Sequence, residues 1–186
     1  MDERPEVLRS ERVFEGRVFN VRIDRIRYPD GAEHRIDVVE HPGSFTVLAM
    51  PSPDEVVLVR QYRHAVSKAL WELPAGTAEL GEEPAAGAAR ELAEETGYRA
   101  GRMRPLGSLY ATPGFCTEIM HFFVAHELAA GEQMLDDDER IEVATFTRDA
   151  AWRLVAQGEI ADMKTVLALA WTESNQVKSR GASVDM

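Results

Sequence analysis

From Val13 to Val39 apolar and polar residues alternate over most of the stretch. Phe19, Val21 and Ile23 interleave with Asn20, Arg22 and Asp24, and the alternation resumes from Arg35 to Glu40 after Pro29-Asp30-Gly31. A period of two puts one residue set on each face of a strand, and Pro-Asp-Gly is turn chemistry. This predicts an antiparallel hairpin or small meander with a charged outer face. Such a sheet is marginal alone and needs cover from the main domain or a second subunit. Residues 1–11 show no such pattern and are expected to form a frayed or exchanged arm. Phe45–Met50 and Glu55–Arg60 are apolar runs joined by Pro51-Ser52-Pro53-Asp54, and predict a second hairpin. Arg104–Tyr110 and His121–Leu128 read as strands flanking the loop Ala111–Phe115; residues 129–140 form an acidic loop, and Glu142–Phe146 a further strand. Two helices follow, over Asp149–Gln157 and Ala161–Thr172, the second with Val166, Leu169 and Ala170 as its apolar stripe. Residues 173–186 hold little apolar content and are expected to be a disordered tail. Strands, one central helix, more strands and then helices make an α+β arrangement.

The central helix belongs to the most informative stretch, Leu73 to Tyr98, reading LPAGTAELGEEPAAGAARELAEETGY. Pro84 suits a first helical position, where its missing N–H would have no partner anyway. Gly97 suits the stop, because it adopts the left-handed conformation most cheaply. At ~100° per residue, Glu91, Glu94 and Glu95 share one arc. Gly87 lies on that arc and should leave room above it, while Ala85, Ala88, Ala89 and Leu92 make a neighbouring apolar face. Three carboxylates on one side of a helix repel one another. A hard divalent cation with oxygen ligands offsets this, Mg²⁺ first, since it is held by a few carboxylates plus substrate phosphates.

Charge sharpens the picture. The chain of 186 residues has a net charge of −11. Residues 76–98 carry six acids and one base, and residues 136–142 (DDDERIE) five acids and one base. Nonspecific nucleic-acid binding runs on Lys and Arg neutralising phosphates, so nucleic acid is not an expected partner. An apolar share of 45% supports a real core. No run approaches the ~20 apolar residues of a membrane span, and the N-terminal MDERPEVLRSER has no apolar signal-like segment. The single cysteine, Cys116, forms no internal disulfide and fits a reducing cytosol, so a cytoplasmic location is expected.

Gly76, five residues, Glu82, seven residues and then the run Arg90 to Tyr98 match the Nudix box over 23 residues; on these residues the chain resembles a Nudix hydrolase. The resemblance implies a Nudix α/β/α sandwich around a mixed sheet at residues 46–172, preceded by an antiparallel β-subdomain at residues 1–45 that plausibly builds a homodimer. It further implies Glu91 and Glu95 as metal ligands, Glu94 as a bridging or inner ligand, the Ala75 carbonyl as another, and Mg²⁺ as the cation, with Mn²⁺ or another divalent ion able to substitute. Arg90 and Glu82 are expected to pair and fix the loop to the helix, with Glu79 and Glu83 solvated.

Residues outside the box bear on the substrate. Pro113 lies sixteen residues after Gly97, in Ala111-Thr112-Pro113-Gly114-Phe115-Cys116-Thr117-Glu118. The placement is similar to that in ADP-ribose pyrophosphatases, and implies Pro113 and Gly114 in the substrate loop, Glu118 on ribose hydroxyls and Arg63 on the pyrophosphate. Within residues 136–142, the same resemblance implies a glutamate that activates the attacking water: Glu139 first, Glu142 as the alternative. The implied reaction is hydrolysis of ADP-ribose to AMP and ribose 5-phosphate. Other nucleoside diphosphates (GDP-mannose or another nucleotide sugar, NADH) stay open, as does a sensor that binds without cleaving. His34, His41, His64, His121 and His126 lack ligand spacing and are expected to be structural. Tyr28, Phe19 and Tyr62 are all eligible to stack on a base.

Overall fold

The computed structural model describes residues 4–135 and 140–181. Its frame follows from strands whose both faces are apolar. β4 (Ser44–Ala49) is buried at every position. Phe45, Val47 and Ala49 face one core while Leu48 faces another. A strand covered on both sides reads as a continuous apolar run rather than an alternation. β4 sits in a four-stranded sheet of order β7-β4-β9-β8, with β7 (Ala75–Thr77), β8 (Tyr98–Tyr110) and β9 (Ile119–Ala130). The β4–β9 pair is parallel and the other pairs antiparallel, so the sheet is mixed.

β5 (Glu55–Arg63) pairs instead with β6 (Lys68–Glu72) and β10 (Ile141–Thr147) in a separate sheet of order β10-β5-β6. The hairpin predicted through Pro51-Ser52-Pro53-Asp54 therefore does not form. The chain turns there, but β4 and β5 enter different sheets. Helix α1 (Pro84–Thr96) covers one side, packing Ala88 and Leu92 with Phe45, Val47, Val57 and Phe123. Helices α2 (Arg148–Gln157) and α3 (Met163–Gly181) cover the other, around Leu48, Leu58, Phe122, Ile160 and Leu169. Burial of each large side chain contributes about 1.5–3 kcal/mol. The architecture is helix–sheet–helix, as expected. α3 runs past Thr172, where the sequence pattern ended it, to Gly181; residues 182–186 lie outside the described set.

The N-terminal sheet is antiparallel, order β1-β2-β3, with β1 (Glu6–Glu15), β2 (Asn20–Arg27) and β3 (Glu33–Glu40). Residues 6–11 are thus paired strand, not a frayed arm. Every β1 residue is exposed, so no burial rhythm announces the strand. It is held by its ladder to β2 and by contacts such as Ser10 Oγ donating to Asp24 Oδ1 at 2.6 Å and Arg12 Nε to Glu40 Oε2 at 2.9 Å. Among the described residues no helix is long and apolar enough to cross a membrane.

Candidate active site

α1 delivers the carboxylates. It begins at Pro84 and ends at Gly97, whose φ of 74° is left-handed. The buried face, however, is Gly87, Ala88, Leu92 and Glu95, while Ala85 and Ala89 are exposed. Gly87 leaves no room over the carboxylates: a Cβ there would lie 2.1 Å from the Phe45 ring. Its smallness lets the helix approach β4.

The carboxylates are held individually. Glu95 is only 3% exposed, and its Oε2 accepts from the Ala75 N–H at 2.9 Å. Glu91 lies against the loop at Gly76, where a Cβ would fall 1.9 Å from its carboxyl carbon. Gly76 is glycine because the carboxylate occupies that space. Arg90 donates from Nε and Nη2 to Glu82 at 2.9 and 3.0 Å, and from Nη1 to Glu94 at 2.9 Å, with Glu91 also at 2.9 Å. The Arg90–Glu82 pair is the one expected from the sequence. These bonds hold the Glu82 carboxyl below its ordinary range and raise the guanidinium further above its own.

Arg63, at the end of β5, points its fork inward. Nε and Nη2 donate to the two oxygens of Glu72 at 2.8 and 2.9 Å. Glu72 is 2% exposed and also pairs with Lys164 of α3, which reaches Asp162 at 3.0 Å. Burial pushes Glu72 up, but the Arg63 bonds and the Lys164 charge outweigh it and keep the carboxyl below its ordinary range. Thr165 Oγ1 donates to Asp162 at 2.6 Å and accepts the Leu73 N–H at 2.8 Å. This buried network fixes α3 to the strand entering the box.

A polar cleft of about 430 Å³ is walled by Arg63, Ala75, Gly76, Glu91, Glu94 and Glu95, with Gln61 and Glu79 at its margin. The β1–β2 loop adds Arg17 and Val18, and Met134 closes another edge. Arg63, Ala75, Gly76 and Thr77 also wall an adjoining compartment of about 230 Å³, which contains Glu118, Ser44 and His41. There Glu118 accepts from Ser44 Oγ at 2.7 Å, and His41 Nδ1 lies 4.0 Å from it and accepts the Gly43 N–H at 3.1 Å. The loop carrying Pro113 and Gly114 is closed by Ala111 N–H donating to Glu118 O at 3.1 Å. It is tied to β3 by Val39 N–H donating to Phe115 O at 2.7 Å. Pro113 and Gly114 stand exposed at its tip, outside both compartments.

The second acidic stretch is only partly described, since Glu139 lies within 136–139, outside the described residues. Its stem docks on α1: Met134 N–H donates to Glu94 O at 2.9 Å and Gln133 Nε2 to Glu95 O at 2.6 Å. These bonds satisfy carbonyls that the helix end would leave open. Glu142 lies opposite Arg60 in the β10–β5 pair, 3.8 Å from it, with its side chain 63% exposed. Tyr28 contacts His34, Phe19 contacts Phe14 and Tyr62 contacts His64; none walls the cleft. Glu72, Lys164, Ser44 and Arg17 were not singled out from the sequence, and His41 was expected to be structural.

Hydrolysis at a carboxylate-lined loop–helix is also what the comparisons with known proteins suggest. The NUDIX domain model matches residues 40–169. The chain is 36% identical over 170 residues to the ADP-ribose pyrophosphatase of Bacillus subtilis (strain 168), covering 90% of this chain and 92% of that one. It is 37% identical over 170 residues to the methanol dehydrogenase activator of Bacillus methanolicus, with the same coverage. A crystal structure of an ADP compounds hydrolase superposes with a TM-score of 0.83 at 21% identity, covering 96% and 97% of the two chains; that likeness concerns the fold. With the box residues arranged on α1 and the family model spanning most of the chain, the protein belongs to the Nudix hydrolase family.

Proposed function

We propose that the chain hydrolyses ADP-ribose to AMP and ribose 5-phosphate with Mg²⁺. The observation that carries this is the bipartite cleft: a carboxylate-lined compartment and a smaller polar one with Glu118, Ser44 and His41, joined at Arg63 and Gly76. The first suits a cation with pyrophosphate and the second sugar hydroxyls, for which Glu118 is an acceptor. The donors Glu91, Glu94, Glu95 and the Ala75 carbonyl are all hard oxygens, which suits Mg²⁺. Among the described residues no three such groups converge as they stand, because Arg90 draws Glu91 and Glu94 toward itself. Exchanging that one guanidinium for a cation frees both. Bound there, the cation would neutralise pyrophosphate charge and acidify water. Arg63 grips the phosphates with Glu72 fixing its orientation. Glu139 is the base for the attacking water and Glu142, on β10, its alternative; the docking of residues 133 and 134 on the last turn of α1 supports this reading. Pro113 and Gly114 shape the substrate loop.

The relative from Bacillus subtilis supports ADP-ribose by its name. Measuring kcat/KM for ADP-ribose, GDP-mannose, NADH and nucleoside triphosphates with Mg²⁺ tests the choice. ADP-ribose at the head supports it, another nucleoside diphosphate at the head replaces the substrate, and binding without turnover favours a sensor.

The same reading makes the protein a homodimer. Val7, Val13 and Phe14 of β1 and Val18 and Phe19 of the β1–β2 loop are all between 42% and 58% exposed, an apolar surface suited to a second copy. Deleting residues 1–45 should yield monomers or aggregates in light scattering; a clean, active dimer would refute the dimer interface.

A further inference from the structure

A second cavity lies apart from the cleft. A pocket of about 460 Å³ lies between the far ends of β8 and β9, the β4–β5 turn and α3. Its floor is apolar: Met50, Pro51, Pro53 and Val124. Its polar wall is cationic. Arg102 and Arg104 are two apart on β8 and so share a face, and His126 and Val124 lie directly opposite them on β9. Neither arginine has a carboxylate partner among the described residues. Glu127 supplies the one acid, at a position where the chain is left-handed (φ 57°) against Gly101. Behind the wall, Thr172 Oγ1 accepts from Nη2 of buried Arg148, whose Nη1 has no hydrogen-bond partner among the described residues. Burial first, then Arg102 and Arg104, lower the His126 pKa, with Glu127 opposing them. A positive field therefore surrounds an apolar floor.

We propose that this pocket is a second ligand site, separate from the cleft, for a small organophosphate. Two guanidinium groups and an imidazole offer donors to several phosphate oxygens. Met50, Pro51, Pro53 and Val124 take the apolar or ring body. The volume falls in the range of small-molecule sites, which are typically apolar with a few convergent polar groups.

The test follows the His126 ring by NMR in the full chain, its signal assigned by its loss in His126→Gln. Phenyl phosphate is titrated beside inorganic phosphate. The His126 resonances should move and saturate with phenyl phosphate, and inorganic phosphate should bind about tenfold more weakly, for want of a body to cover the apolar floor. Arg102→Gln/Arg104→Gln should weaken phenyl phosphate by about tenfold or more while leaving turnover unchanged. An unmoved His126, equal binding of the two phosphates, or undiminished binding to the double variant would overturn the proposal. Loss of turnover in the double variant would overturn the separation from the cleft.

Discussion

The chain has two acidic stretches of similar net charge, six acids and one base in residues 76–98 and five acids and one base in residues 136–142, and their described residues are held differently. In the first, four of the six carboxylates have an assigned neighbour: Glu82, Glu91 and Glu94 surround Arg90, and Glu95 is buried on the Ala75 N–H. In the second, Glu142 is mostly solvated, 3.8 Å from a single arginine. Acid density does not mark a site. What distinguishes the first stretch is that its carboxylates are held against repulsion by a shared guanidinium, a backbone donor and a glycine shaped around one of them.

Glu95→Gln should break the comparison most severely. It keeps the shape but removes the buried charge, and ADP-ribose turnover with Mg²⁺ should fall by orders of magnitude while circular dichroism and melting remain near wild type. Near-full activity would sink the metal assignment. Gly76→Ala comes next. Its methyl must displace the Glu91 carboxylate, and a misplacement of that size costs about 10²-fold in kcat. A crystal structure of this variant with Glu91 undisturbed, together with normal turnover, would contradict the packing role of Gly76.

Glu72→Gln carries the comparison into the interior. Removing one partner of a buried ion pair costs about 3–5 kcal/mol, since Arg63 and Lys164 lose their shared counter-charge. The melting temperature should drop and KM rise more than kcat falls, as the Arg63 fork loosens. The pH dependence has a definite sign. The folded carboxyl titrates below its ordinary 4.5, so its stabilisation is full above that value and disappears as pH falls through the lower folded pKa. Glutamine does not titrate, and the variant should show a shallower loss of melting temperature below pH 4.5. An unchanged acid slope would mean that Glu72 is not charged in the fold.

What the sequence disclosed and what it hid follow from these contacts. α1 was legible at both ends because Pro84 and Gly97 are local signals, and the Glu82–Arg90 pair because the box spacing brings them together. The separation of β4 from β5 was hidden: a strand buried on both faces has no preferred side, and Pro51-Ser52-Pro53-Asp54 resembles a hairpin turn. β1 was hidden for the opposite reason, with every residue exposed and no rhythm to read. Ala85 and Ala89 were assigned to the packing face, but Gly87 against Phe45 sets the rotation of the helix. Glu72 and Lys164 lie 92 residues apart, and no local pattern couples such positions. The same holds for His41 and Glu118, which meet only because β3 ends beside the Pro113 loop.

The smallest effect is expected at the second acidic stretch, in Glu142→Gln. An exposed pair at 3.8 Å contributes about 0–1 kcal/mol, so stability should hardly change. The carboxylate lies on β10 opposite Arg60 and beside Gln61, a residue that also walls the cleft. If Glu142 only partners Arg60, kcat stays within about twofold, a barrier change well below the 1.36 kcal/mol of a tenfold effect. Glu139→Gln, measured in parallel, should lower kcat far more if Glu139 is the base. The reverse order would move the base to Glu142.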